Sequence, residues 1–98
     1  VYVGLMSGTS CDGVSAAAVR FHPGPTPEGA RLGVELLAHL QRPYAGAERE
    51  RLLAAMQGAT PQEYCRLHAD LGAWLAEAAG AVLAAGGIAA GRVAAIAS

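Results

Sequence analysis

Val1-Tyr2-Val3-Gly4-Leu5-Met6-Ser7-Gly8-Thr9-Ser10-Cys11-Asp12-Gly13-Val14-Ser15 is the stretch on which the rest of the chain hangs. A short apolar run leads into a small polar turn, and a second apolar run follows from Val14 to Phe21. Two such runs joined by a Gly-bearing turn predict a β-hairpin, Val1–Met6 against Val14–Phe21. The turn holds Ser7, Gly8, Thr9, Ser10, Asp12 and Gly13, which is more hydroxyls and N–H donors than a hairpin needs. Gly8 and Gly13 are able to take φ > 0 and to let another group come close to the backbone. Successive N–H groups in such a turn form a concave anion site. Thr9 and Ser10 add hydroxyl donors, and Asp12 adds one carboxylate that suits a hydrated Mg²⁺. Two readings follow: a loop for phosphate and magnesium, or a tight turn closed by its own Asx and Ser/Thr hydrogen bonds. A Gly-rich turn does not choose between them.

Outward from the hairpin, residues 22 to 30 carry Pro23, Gly24, Pro25, Pro27 and Gly29 and read as a surface loop. A third strand is predicted over Leu32–Leu40. Leu32, Val34, Leu36, Ala38 and Leu40 alternate there with Gly33, Glu35, Leu37 and His39, which puts Glu35 and His39 on the wetter face. Pro43 ends this strand and completes a three-stranded meander. Ala47–Met56 reads as a short helix with Leu52, Leu53 and Met56 on its apolar side and Glu48, Arg49, Glu50 and Arg51 in solvent; Gly58 stops it. Thr60-Pro61-Gln62-Glu63 predicts a second helix, with Thr60 as N-cap, Pro61 at the first position and Glu63 completing a capping box. Its stripe runs Tyr64, Leu67, Leu71, Trp74, Leu75, Ala78, Val82, Leu83, with Tyr64 and Trp74 as core anchors and Arg66, Asp70 and Glu77 facing water. Gly80 inside it costs ~1 kcal/mol against Ala and points to close packing. Gly86-Gly87 ends the helix near Ala85. Val93–Ala97 is small and apolar without alternation, as in a strand buried on both faces. The predicted order is β-β-β-α-α-β, an α/β arrangement.

Composition narrows the function. The chain has 98 residues, 53% of them hydrophobic, enough for one small core. A net charge of −1 gives no electrostatic case for nucleic acid or for a membrane surface. All seven basic residues are Arg. The absence of Lys excludes a Walker-type P-loop. Cys11 and Cys65 form no metal or C-x-x-C pattern and read as free thiols in a reducing cytoplasm. His22, His39 and His68 fit no metal-ligand spacing. No signal peptide opens the chain, and no apolar run reaches the ~20 residues of a membrane span. No G-x-S-x-G elbow accompanies the serines, which sets aside a serine hydrolase. The chain starts within a strand without Met and stops in another, so both ends are expected to be cuts in a longer protein.

Gly4-Leu5-Met6-Ser7-Gly8-Thr9-Ser10-Cys11-Asp12-Gly13-Val14 closely resembles the opening motif of the anhydro-N-acetylmuramic acid kinases, which reads G-[LV]-M-S-G-T-S-x-D-G-[VI]-D. The later elements follow in that family's order. Two positions depart from the pattern: Ser15 stands where the family usually has Asp, and Cys11 where Leu or Met is common. The resemblance implies the superfamily of sugar kinases, actin and heat-shock ATPases, and residues 1–98 as the N-terminal part of its first ATPase domain. That is a partial ribonuclease H-like, or actin-like, module. In the family a Ser-His-Gly-Gln-Thr segment follows the last strand, and Ser98 is placed as its first residue.

The resemblance also implies a reaction. ATP and Mg²⁺ are the expected cofactors, and Gly8, Thr9, Ser10, Cys11, Asp12, Gly13, Val14 and Ser15 the residues around the nucleotide. Many members of the superfamily end their first strand G-x-D-x-G-T with a metal-facing Asp. Met6 occupies that position here, so the metal role passes to Asp12, through water. The substrate implied is an amino sugar, 1,6-anhydro-N-acetylmuramic acid, opened and phosphorylated during cell-wall recycling. The general base for the attacking water is an Asp in the family. Glu28, Glu35, Glu48, Glu50, Glu63, Asp70 and Glu77 match no such motif, so the base is expected beyond Ser98. These residues alone are then expected to be inactive, and homodimerism is an expectation carried by the resemblance. Another sugar kinase or ATPase of the superfamily, or a non-catalytic relative, remains an alternative; the missing acid at Ser15 gives the last its footing.

Overall fold

A computed structural model describes residues 1–24 and 31–98. Its elements are β1 (Tyr2–Ser7), β2 (Gly13–Gly24), β3 (Arg31–Pro43), α1 (Gly46–Gln57), α2 (Pro61–Ala85), a 3-10 turn (Ala90–Arg92) and β4 (Ala95–Ala97). The expected order of strands and helices is therefore observed. They form one mixed four-stranded sheet, β3-β2-β1-β4, in which β4 runs parallel to β1 and the other neighbours are antiparallel. Residues 22–24, expected in a loop, extend β2 instead; the rest of that loop, with Glu28, lies outside the described residues.

One face of the sheet is the core. Val3, Leu5, Val14, Ala16 and Ala18 face α2, which lays Leu67, Trp74, Ala78, Ala79, Val82 and Leu83 on them, with Tyr44 at the edge. Small strand residues let the helix approach, and Trp74 fills the volume at one end. Truncating such a buried aromatic typically costs about 3–5 kcal/mol. The predicted stripe of α2 is correct at Trp74 and the aliphatics but not at Tyr64, which is 45% exposed. The Tyr64 hydroxyl donates to Ala55 O (2.9 Å) and accepts from Ala59 N–H (3.2 Å), fastening the α1–α2 connection.

The period-2 reading of β3 fails at one place. A register shift between Ala18 and Val19 pairs Ala18 with Ala38 but Val19 with Leu36, so the β3 chain gains a residue at Leu37. Such a bulge reverses which side chains face the core. Ala38 and Leu40 lie on the α2 side, whereas Leu32, Val34 and Leu36 pair with Pro23, Phe21 and Val19 and stand more than 60% exposed. Glu35 and His39, expected on one face, fall on opposite ones. Tyr2, Gly4, Met6, Ser15 and Ala17 also lie on the side away from α2, as the alternation of paired residues requires. The final strand departs too: Ala95, Ile96 and Ala97 are exposed, because α2 lies chiefly over β2 and β3, touches β1 less, and does not cover β4.

Helix ends follow the sequence signals closely. Thr60 Oγ1 accepts the Glu63 N–H at 3.1 Å, but the Glu63 carboxylate turns to Arg51 at 2.9 Å, so only half the capping box forms. At α1, Glu48 caps the Ala45 N–H at 2.9 Å. Gly58 (φ 128°) and Gly87 (φ 63°) end the helices in backbone conformations that disfavour other residues. Gly80 has open space where a Cβ would sit, so close packing does not explain it. Among the described residues no helix is long and apolar enough to cross a membrane.

Candidate functional site

Residues 8–12 join β1 to β2, and their shape comes from one inward-pointing side chain. Cys11 has φ 53°, the sole positive φ among the described non-glycine residues, and its side chain is buried. The strain of that conformation, roughly 1–2 kcal/mol, is offset by burying the thiol group in the core. Its N–H donates to Gly8 O at 3.1 Å and closes a four-residue turn. Thr9, Ser10 and Asp12 are left exposed, and their N–H groups have no backbone partner among the described residues. A polar crown on an apolar peg is the result, exposed to solvent and with backbone donors not used by the backbone among the described residues.

The two glycines do different work. Neither uses its freedom to take φ > 0; Cys11 takes the left-handed conformation instead. A Cβ on Gly13 would lie 2.4 Å from Arg42 O and 2.8 Å from Pro43 Cα, so β3 crosses too closely for any side chain. At Gly8 a Cβ would meet only Ser10 Oγ, at 3.8 Å. Among the described residues nothing demands a glycine at position 8, and its open side leaves room for a group to approach the backbone from solvent.

Elements far along the sequence buttress the turn. The pairing of Gly13 with Pro43 brings Tyr44 alongside: its N–H donates to Asp12 O (2.9 Å) and its hydroxyl donates to Ser7 Oγ (2.9 Å). Arg49, on the first turn of α1, reaches Ser10 O at 3.4 Å, and its Nε lies 3.9 Å from Asp12 Oδ1. The sequence pattern puts Arg49 in solvent and does not single out Tyr44. The only signal available was the position of Pro43-Tyr44 at the end of a strand two removed from the loop.

Behind these residues is a charged lattice around Trp74. Arg42 donates to Glu48 through both terminal nitrogens (2.8 and 3.1 Å) and to Glu77 through Nη2 (2.9 Å) and Nε (3.1 Å). Arg51 binds Glu63 and Asp70 at 2.9 and 2.7 Å. Both guanidinium groups lie within 6 Å of the Trp74 ring, and Tyr44 packs on it at 5.6 Å. Glu48, Arg51, Asp70 and Glu77 are thus engaged rather than merely solvated. The Arg42 guanidinium, and more weakly the Ala45 N–H, hold the Glu48 carboxyl below its usual range against partial desolvation. The lattice fixes the start of α1, and with it Arg49.

The predicted residues therefore divide. Gly8, Thr9, Ser10, Asp12 and Gly13 come together at the turn. Cys11 and Val14 point into the core and serve as its anchors. Ser15 lies on the opposite face of the sheet, paired across the hairpin with Met6. Both are uncharged, so neither the position the superfamily gives to an acid nor the one the family gives to Asp carries a carboxylate. A depression of about 280 Å³ on that face is lined by Gly4, Met6, Ser15, Ala17 and His39.

A phosphate tail fits the exposed donors, the open approach at Gly8 and the guanidinium beside them. For a divalent ion the fit is narrower. Among the described residues no three His, Cys, Asp or Glu side chains cluster to hold one. Asp12 alone, with Arg49 already near it, suits contact through a metal-bound water.

Residues 1–98 match, over their whole length, the family described as anhydro-N-acetylmuramic acid kinase. The chain is 38% identical over 101 residues to an anhydro-N-acetylmuramic acid kinase of Xanthomonas campestris pv. campestris, an alignment that takes in all of this chain and 26% of the relative. An enzyme of the same name from Parasynechococcus marenigrum is 46% identical over 57 residues, covering 57% of this chain and 14% of its own. One from Gloeothece citriformis is 41% identical over 56 residues, covering 57% of this chain and 13% of its own. The chain thus spans about a quarter of the length of the first of these relatives. No solved structure matches it.

Proposed function

Because the chain belongs to the anhydro-N-acetylmuramic acid kinase family, we propose that the full-length protein uses ATP and Mg²⁺ to open and phosphorylate 1,6-anhydro-N-acetylmuramic acid in cell-wall recycling. Water adds to the anomeric carbon, the bond from that carbon to O6 breaks, and O6 takes the γ-phosphoryl group. A base outside residues 1–98 removes the proton of the attacking water. The product is N-acetylmuramic acid 6-phosphate, and ADP leaves.

The part played by these residues is to hold and orient the nucleotide's phosphates, the greater share of what a protein contributes to phosphoryl transfer. The observation that carries this reading is the construction of residues 8–12: an internal peg at Cys11 with Thr9 and Ser10 exposed and their N–H groups without a backbone partner among the described residues. Bound Mg²⁺ would neutralise charge developing on the phosphates, and Asp12 would hold it through water. The sheet and helices suit the opening part of a ribonuclease H-like module. Two free thiols agree with a reducing, cytoplasmic compartment.

ADP release by the full-length protein, with and without the anhydro sugar, is the test. Sugar-dependent release supports the reading, and Asp12→Asn should then lower turnover by two orders of magnitude or more; a near-normal rate would remove Asp12 from the metal site. The uncharged Met6–Ser15 pair specifically favours a second reading, a relative that binds nucleotide without transferring phosphate. It predicts no ADP release under either condition.

A further inference from the structure

We propose that Arg49 is the cation that receives the nucleotide's phosphate tail, and that its contact with Asp12 is a resting position it leaves when the tail binds. This inference rests on the nucleotide reading of residues 8–12. It starts from the distribution of charge. Residues 1–98 contain no Lys, so a permanent side-chain cation that they themselves bring to the turn is a guanidinium. Arg42 and Arg51 each hold two carboxylates, and Arg20 is paired with Glu35 at the far end of the β2–β3 ribbon. Arg49 is the guanidinium that touches the turn among the described residues.

Its contacts are weak ones. A 3.4 Å approach to a carbonyl and a 3.9 Å approach to a carboxylate are longer than a good charged hydrogen bond of about 2.7–2.9 Å. The two side chains are about half and two-thirds exposed, so the pair contributes little. A guanidinium fork grips phosphate oxygens two at a time and far more firmly. Exchanging Asp12 for phosphate is therefore favourable for Arg49. The exchange also frees the Asp12 carboxylate for the hydration shell of the accompanying Mg²⁺ and relieves the repulsion between Asp12 and an incoming polyanion. The backbone that carries Arg49 needs no rearrangement, since Glu48 beside it is fixed by Arg42 and by the Ala45 N–H.

The test is equilibrium binding to the full-length protein of ATP, of tripolyphosphate as a probe of the tail alone, and of adenosine as a probe of the base site. Arg49→Gln should weaken ATP and tripolyphosphate by about tenfold or more and leave adenosine unchanged, while Arg49→Lys should recover part of the loss. The half-saturating Mg²⁺ concentration should shift with the ATP affinity. Unchanged tripolyphosphate affinity in Arg49→Gln, or an equal loss for all three ligands, would overturn the proposal. If the wild-type protein bound neither ATP nor tripolyphosphate, the nucleotide reading would fall first and this inference with it.

Discussion

The two ends of the β2–β3 ribbon are built on opposite terms. At the Gly13–Pro43 end the residues are polar, yet they are held from several sides: the buried Cys11 beneath, the buried Tyr44 beside, and the partly exposed Arg42–Glu48–Glu77 cluster behind. At the other end Phe21, Leu32, Val34 and Leu36 are apolar, yet they stand exposed, and Glu35 with Arg20 and His22 forms only solvent-facing pairs. Composition would assign rigidity the other way round. Order at a loop is set by what anchors it from inside, and a polar turn with a buried peg is better held than an apolar strand with nothing over it.

The sharpest way to break this contrast is Gly13→Ala. A Cβ at 2.4 Å from a carbonyl oxygen requires backbone to move, and we expect about 2–4 kcal/mol of destabilisation in thermal or urea unfolding of the full-length protein. Gly8→Ala, five residues away, should unfold almost as wild type while losing nucleotide affinity; equal destabilisation by the two would erase the distinction drawn between them. Next comes Glu48→Gln, which weakens the grip on Arg42 for about 1 kcal/mol, reduced for its partial exposure. The sign with pH follows from the lowered Glu48 pKa: its contribution is present above the ordinary glutamate range and is lost as pH falls through the folded-state value. Wild type should therefore lose stability on acidification more steeply than Glu48→Gln, and parallel curves would argue against the assignment. The smallest effect belongs to the other end of the ribbon. Glu35 also titrates low, chiefly through its hydrogen bond to His22, but solvent screens it, so Glu35→Gln should leave the melting temperature unchanged within error.

What the sequence makes legible follows from how far each signal travels along the chain. The turn, the helix stop signals and the Thr60 cap are local, and each is recognisable from neighbouring residue types. The inverted face of β3 is not local: a bulge opposite Ala18 and Val19 arises from pairing between strands, and no residue in Leu32–Leu40 announces it. Tyr44 and Arg49 went unmarked as site residues for the same reason. They reach the turn through the pairing of Gly13 with Pro43, at the far end of β3. Tyr64 kept its place on the helical stripe but had two backbone groups to bond outside it, and those hydrogen bonds drew its ring outward. Exposure of β4 depends on where α2 lies across the sheet, which periodicity within either element does not specify.

Cys11 has a consequence for following this molecule in time. Its sulfur is sealed beneath the very residues that would meet the nucleotide, whereas Cys65 on α2 is open to solvent. An alkylating reagent would mark Cys65 at the rate of an ordinary thiol and Cys11 only when the peg is withdrawn. The ratio of the two labels, read by mass spectrometry, is an intrinsic clock for how often the crown lifts, with its own reference in the same chain.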